Sequence, residues 1–189
     1  MAQPARQRIA FDEYVRIEAM SPIRHEWLEG AVWAMAGGTP DHAAVAVNVT
    51  TLLSNQLRGK PCRVFGSDLR VRVRATGLGT YPDGSVICGK VQFDPHDESK
   101  TTAVNPRVII EVLSPATEKY DRGEKLDHYK KIPSLEEVVL VSQSPRRVEV
   151  WRREKKVWRC HAYDSGVAEL QSLKCELSIA EVYRDPLGV

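Results

Sequence analysis

Glu111 lies inside Arg107-Val108-Ile109-Ile110-Glu111-Val112-Leu113, a run that is otherwise nearly continuously apolar. A carboxylate withdrawn from water there costs several kcal/mol unless a cation compensates it. That cation is either a lysine or arginine in a structural ion pair, or a metal. A second acid, Asp83, follows Tyr81-Pro82 at the mouth of an earlier strand, although Pro82-Asp83-Gly84 is also a favourable turn tripeptide. Carboxylates borne on two neighbouring strands can converge on one divalent ion, which polarises a phosphoryl oxygen and lowers the pKa of a bound water. Phosphodiester hydrolysis requires both effects.

Further along, Asp121, Lys125 and Tyr129 are spaced four apart and share a face if the segment is helical. Read blandly, Asp121 and Lys125 form an exposed surface pair. Aimed at Glu111, the same face would bring an amine to orient water or to stabilise charge on a reacting phosphate. His42 falls in the first turn of another expected helix, where it either approaches the phosphate and the carboxylates or is a plain surface residue.

The elements that must position these groups are legible from pattern. Residues 11–20 read as a short amphipathic helix ended by Ser21-Pro22, and residues 25–35 as a hairpin turning at Glu29-Gly30. Thr39-Pro40-Asp41 starts a helix that runs to about Leu57, with Val45, Val49, Leu52, Leu53 and Leu57 on one stripe. Strands are expected at 63–65, 69–74, 85–88, 107–113, 137–141, 148–152 and 157–162. A helix is expected over 117–131, weakened at Gly123, and a short one over 178–183. This order implies an α/β fold, a mixed β-sheet flanked by helices. We expect a single domain over 1–189: N-terminal helix and hairpin 11–35, core 39–153 and C-terminal extension 154–189.

Apolar residues make up 42% of the chain and charged residues 28%, the balance of a globular protein. No apolar run suits a signal sequence or a membrane span, so a cytoplasmic location is expected. With 27 basic and 25 acidic side chains, the net charge of +2 makes no global case for a polyanionic partner, and any nucleic-acid surface must be local. The candidate is Arg70-Val71-Arg72-Val73-Arg74, whose alternation places Arg70, Arg72 and Arg74 on one strand face, either against nucleic acid or merely solvated. Trp27, Trp33, Trp151 and Trp158 read as core or interface residues before base-stacking ones. The widely spaced Cys62, Cys88, Cys160 and Cys175 read as reduced structural thiols.

Taken together, Tyr81-Pro82-Asp83, the segment from Pro106 through Glu111-Val112-Leu113-Ser114-Pro115, and Asp121, Lys125 and Tyr129 resemble the Uma family of restriction endonucleases in the PD-(D/E)XK superfamily. The similarity spans roughly residues 11–153 and includes the early His25-Glu26-Trp27-Leu28-Glu29-Gly30 and the histidine His42. It implies a restriction-endonuclease-like core in which Asp83, Glu111 and the Val112 backbone carbonyl hold Mg²⁺ or Mn²⁺, with DNA as the partner; the aromatic strands late in the chain suggest an edge that pairs with a second copy, a homodimer able to cut both strands. Two departures stand out. The superfamily's usual lysine, two positions after the second acid, is Leu113 here, and the resemblance offers Lys125 in its place. Glu26 matches an acid of the family's hairpin and could serve a second metal or be an exposed strand acid, whereas a further hairpin acid is replaced by Ala31. The alternatives to an active DNA endonuclease are a nuclease-fold binding or assembly module without turnover, and a hydrolase of smaller phosphodiesters.

Overall fold

A computed structural model describes residues 8–35 and 37–185. Among them, the chain runs α1 (Phe11–Glu18), β1 (His25–Leu28), β2 (Ala31–Ala34), α2 (Pro40–Gln56), β3 (Cys62–Gly66), β4 (Arg70–Arg72), β5 (Gly79–Thr80), β6 (Gly84–Cys88), β7 (Thr102–Ala103) and β8 (Val108–Leu113). It continues through α3 (Glu118–Tyr120), a π-helical turn (Asp121–Lys125), α4 (Leu126–Tyr129), β9 (Glu137–Ser142), β10 (Arg147–Glu154), β11 (Val157–Tyr163), β12 (Val167–Leu170), β13 (Cys175–Ser178) and α5 (Ile179–Val182). A six-stranded sheet has the order β11-β10-β9-β8-β6-β3, a five-stranded one the order β2-β1-β5-β4-β7, and β12 pairs with β13. Both larger sheets are mixed: β8 runs parallel to β9 and β4 parallel to β7, while the other pairings are antiparallel. The α/β class and the mixed sheet read from the sequence are those observed.

Local chemistry explains the scaffold. Glu29 and Gly30 both take positive φ, 50° and 88°, as a tight two-residue hairpin turn requires. Thr39 caps α2 by accepting the His42 backbone N–H at 3.2 Å, with Pro40 in the first turn. Val45, Val49 and Leu53 of α2 then pack on Val86, Ile110, Val112, Val139 and Val141 of the large sheet. The opposite face of that sheet presents Ile109, Leu113, Val138 and Leu140 to Leu126, Tyr129, Ile132 and Leu135, and to Val71, Val73 and Leu78. Strand β8 is therefore buried on both sides, all six residues of it. No helix among the described residues is long and apolar enough to cross a membrane.

Several expectations are corrected. The helix over 117–131 is not one regular helix: its middle turn, containing Gly123, is π-helical. Cys62 and Cys88 sit directly opposite each other on β3 and β6 and form a disulfide, so the reading of four reduced thiols holds only for Cys160 and Cys175. The three arginines do not share an open face. Arg70 is buried, donating to Thr102 at 2.7 Å, Tyr81 at 3.1 Å and Thr101 at 2.9 Å, and Arg72 pairs with Asp94 at 2.9 Å beneath the Phe11 ring. Arg74 alone of the three is exposed. Trp33 is likewise exposed, not core.

The buried Arg70 is balanced by Asp97, 3.5 Å away, which accepts from the Ser99 and Thr101 backbone N–H groups and hydroxyls. Burial pushes the Asp97 carboxyl up, but the hydrogen bonds from Ser99, Thr102 and Thr101 together outweigh it and hold the group well below the usual carboxylate range. Because the folded pKa is depressed, this stabilisation is present above the unfolded value of about 3.9 and is lost as pH falls through the folded value. Asp97→Ala should therefore cost about 3 kcal/mol at pH 7. Urea melts should show the gap to wild type narrowing between about pH 4 and pH 2. A gap constant across that range would refute the assignment.

Candidate functional site

Side chains alternate along β8, so Ile109, Glu111 and Leu113 face the layer formed by α4 and the five-stranded sheet, while Ile110 and Val112 face α2. Glu111 is thus a carboxylate in the middle of a closed apolar layer, 4% exposed. A residue two positions on shares its face, which is where a strand-borne lysine would point. In this chain that position is Leu113, a core residue, and the amine descends from the helical layer above. Lys125 Nζ lies 2.9 Å from Glu111 Oε1, 3.3 Å from Glu26 Oε1 and 3.4 Å from Asp121 Oδ1. Tyr129 donates its hydroxyl to Glu111 Oε1 at 2.5 Å. Lys125 is 5% exposed, so the surface-pair reading of Asp121 and Lys125 is overturned.

Asp83 stands just before β6, whose pairing with β8 ends at Gly84 opposite Ile110. Past that point the Val112 N–H has no strand partner on the β6 side, and Asp83 Oδ2 accepts it at 2.8 Å. The same oxygen is 3.2 Å from His42 Nε2. Capping by Thr39 fixes the first turn of α2, and that turn delivers the imidazole to Asp83. The reading of His42 as a plain surface residue is therefore corrected, as is that of Glu26 as an exposed strand acid: Glu26 is 4% exposed and accepts the Thr80 hydroxyl and, at 3.2 Å, the Trp33 indole N–H. The structure brings Asp83, Glu111, Lys125, Glu26, His42, Asp121 and Tyr129 into one neighbourhood. It leaves Arg70 and Arg72 in internal pairs elsewhere.

Charge in this neighbourhood is strongly coupled. Burial pushes the Glu111 carboxyl up to about 8, and Asp83 and Asp121 push the same way, against the pull of Lys125 and the Tyr129 hydrogen bond. Burial alone would lower the Lys125 ammonium, but Glu111, Tyr129, Glu26 and Asp121 raise it well above its ordinary value, and a buried amine ringed by three acids stays protonated. Burial and Glu111 raise the Tyr129 phenol, so it acts as a donor at every accessible pH. The hydrogen bond to Asp83 raises the His42 imidazole despite burial.

The donors suit a hard divalent cation. Asp83, Glu111 and the Val112 carbonyl offer oxygen donors, and the charge of Asp83 adds to the burial that raises the Glu111 carboxyl. Among the described residues no three His, Cys, Asp or Glu side chains are grouped as a ready metal cage. Mg²⁺ is commonly held by fewer protein groups than such a cage, one or two carboxylates with several waters retained.

Thr80 and Trp33, both on Glu26, were not foreseen as parts of the site. Thr80 sits in a two-residue strand too short for any alternation to show, and Trp33 could have been placed only by the hairpin register, Glu26 opposite Trp33.

The chain is similar to known proteins in sequence and in fold. A family model described as "Uma2: Putative restriction endonuclease" matches residues 11–181. The uncharacterized protein slr1290 of Synechocystis sp. is 33% identical over 180 residues, spanning 94% of this chain and 92% of its own. A second Synechocystis protein, sll1609, is 30% identical over 141 residues, 75% of this chain and 78% of its own. In fold, the chain is similar to a crystal structure described as a putative nuclease belonging to DUF820 from Anabaena variabilis. The TM-score is 0.74 over 93% of this chain and 97% of that one, at 19% identity.

Proposed function

The chain belongs to the Uma2 restriction-endonuclease family, and from that premise we propose that it is a Mg²⁺- or Mn²⁺-dependent endonuclease hydrolysing phosphodiester bonds in DNA. Asp83, Glu111 and the Val112 carbonyl would hold the ion, which when bound polarises the phosphoryl oxygen and acidifies water. Lys125 holds the attacking water and stabilises the charge that develops on the phosphate. Glu26 and Asp121 keep the ammonium in place, and Tyr129 fixes the Glu111 carboxylate. His42, its pKa raised by the hydrogen bond to Asp83, faces the substrate phosphate.

The observation that carries this reading is the 2.9 Å approach of Lys125 Nζ to Glu111. The strand position usual for the lysine is filled by a core leucine, yet an amine still meets the second acid. The test is direct: purified protein with Mg²⁺ or Mn²⁺ is incubated with varied DNA and RNA. Failure to cut any of them, or equal cutting by Asp83→Ala, would sink the proposal.

A second reading, a binding or assembly module without turnover, is favoured by the engagement of Lys125 with three carboxylates at once. Calorimetry separates the two: DNA binding without divalent-ion uptake that depends on Glu111 would favour the module. A homodimer through the open edge of β11 would let two sites act on one duplex.

A further inference from the structure

We propose that Trp33 is a stacking platform for the nucleobase beside the scissile phosphate, so that the enzyme acts where that base is unpaired or extruded from the duplex. The inference rests on the nuclease reading of the Glu111 site. Its starting point is the different treatment of the four tryptophans. Trp27 is 8% exposed, packed against Phe11, and donates to the Ile9 carbonyl at 2.8 Å. Trp151 lies under the Lys130 ammonium at 4.3 Å and Trp158 under the Arg153 guanidinium at 4.9 Å. Trp33 is 36% exposed, and among the described residues no ring or cation covers it.

Its orientation is nevertheless fixed, and fixed to the site. Trp33 stands directly opposite Glu26 in the β1–β2 pairing, so both side chains leave the same sheet face. The indole N–H donates to Glu26 Oε2 at 3.2 Å, while Glu26 Oε1 lies 3.3 Å from Lys125 Nζ, itself 2.9 Å from Glu111. One carboxylate thus ties an open aromatic ring to the reacting centre. An indole held by its edge keeps its π face available and has little orientational freedom left to lose on stacking.

A nucleobase suits this platform better than a second copy of the chain. Side chains alternate along β2, so the face that carries Trp33 offers beside it Ala31, with Met35 next where its N–H meets the Arg24 carbonyl, a few side chains against the roughly 20–30 residues a side of a stable protein interface. Enzymes that need an unstacked base meet the unstacking cost with such a replacement stack.

The test is equilibrium titration of the full chain with short single-stranded DNA carrying 2-aminopurine, in Ca²⁺, using wild type, Trp33→Ala and Trp33→Phe, with thermal melts and sedimentation of each. Stacking predicts quenching by wild type, loss of quenching with about tenfold weaker binding in Trp33→Ala, and partial retention in Trp33→Phe, which keeps a ring but loses the bond to Glu26. Unaltered binding and quenching in Trp33→Ala overturn the proposal, as does a wild-type dimer that Trp33→Ala dissociates. Quenching that depends on Trp33 in a protein that cuts no substrate leaves the stacking platform standing and removes the nuclease reading. Cleavage with no Trp33-dependent quenching does the reverse.

Discussion

Asp83→Ala is expected to lower Mg²⁺-supported cleavage by about 10³-fold, some 4 kcal/mol of transition-state stabilisation, while leaving the fold intact. The two effects separate because Asp83 stands at the edge of the site. Its side chain is 20% exposed, and the Val112 N–H it accepts can be taken up by water. The stability cost should therefore stay near 1 kcal/mol. A second readout needs no turnover. Saturating Mg²⁺ should raise the wild-type Tm by mass action, and Asp83→Ala should lose that rise. Melting curves with and without Mg²⁺, beside single-turnover cleavage, check both parts; a variant that retains the Mg²⁺-dependent shift would show that Asp83 is not a ligand.

Lys125→Met should be costly in both stability and rate. Removing the ammonium leaves Glu26, Glu111 and Asp121 facing one another out of water, and breaking one side of a buried ion pair costs about 3–5 kcal/mol. For a chain of this size that lowers Tm by about 10 °C. The folded pKa of Lys125 is raised, so its stabilisation is fully present below its unfolded pKa of about 10.4 and is lost as pH rises through the folded value; near neutrality it is complete. In the variant the remaining acids can relieve their repulsion by taking up a proton. Glu111 is the first candidate, since burial already pushes it to about 8 in the wild type. The stability gap should therefore be widest on the alkaline side of that value and should narrow on acidification. Cleavage should fall by about 10²–10³-fold at any pH where the variant is folded. Unfolding curves from pH 5 to 9 together with cleavage rates check this, and a fully active Lys125→Met protein would leave the amine a purely structural role.

Legibility in the sequence followed the range of the interactions. Glu111 stood out because one charge in an apolar strand is a local anomaly, and Asp83 because proline and strand entry are local too. The expected helix over 117–131 was right in place and wrong in pitch: residues four apart do meet, but through a π turn that helix propensity does not encode. Arg70 and Arg72 show the limit of alternation. It assigned them a common face correctly, yet only the tertiary structure shows that Asp97, Asp94, Thr101 and Thr102 cover that face. Cys62 and Cys88 are separated by 26 residues without a motif, and only the antiparallel register of β3 and β6 sets them side by side. Thr80 reached the site by the same long-range route, whereas Trp33 came by the local register of the β1–β2 hairpin.

The π turn over Asp121–Lys125 also bears on how such a site can change over generations. A lysine carried on the strand beside Glu111 is locked to the sheet: moving it by one residue inverts every neighbouring side chain and ruins the core. Carried on a helix, the same amine is rephased by about 100° for each inserted or deleted residue, and a π turn can take up that rotation so that Leu126 and Tyr129 keep their places against the sheet. The chemistry is thereby separated from the packing, with Leu113 left to fill the core and Lys125 free to drift, be aimed, or be turned away.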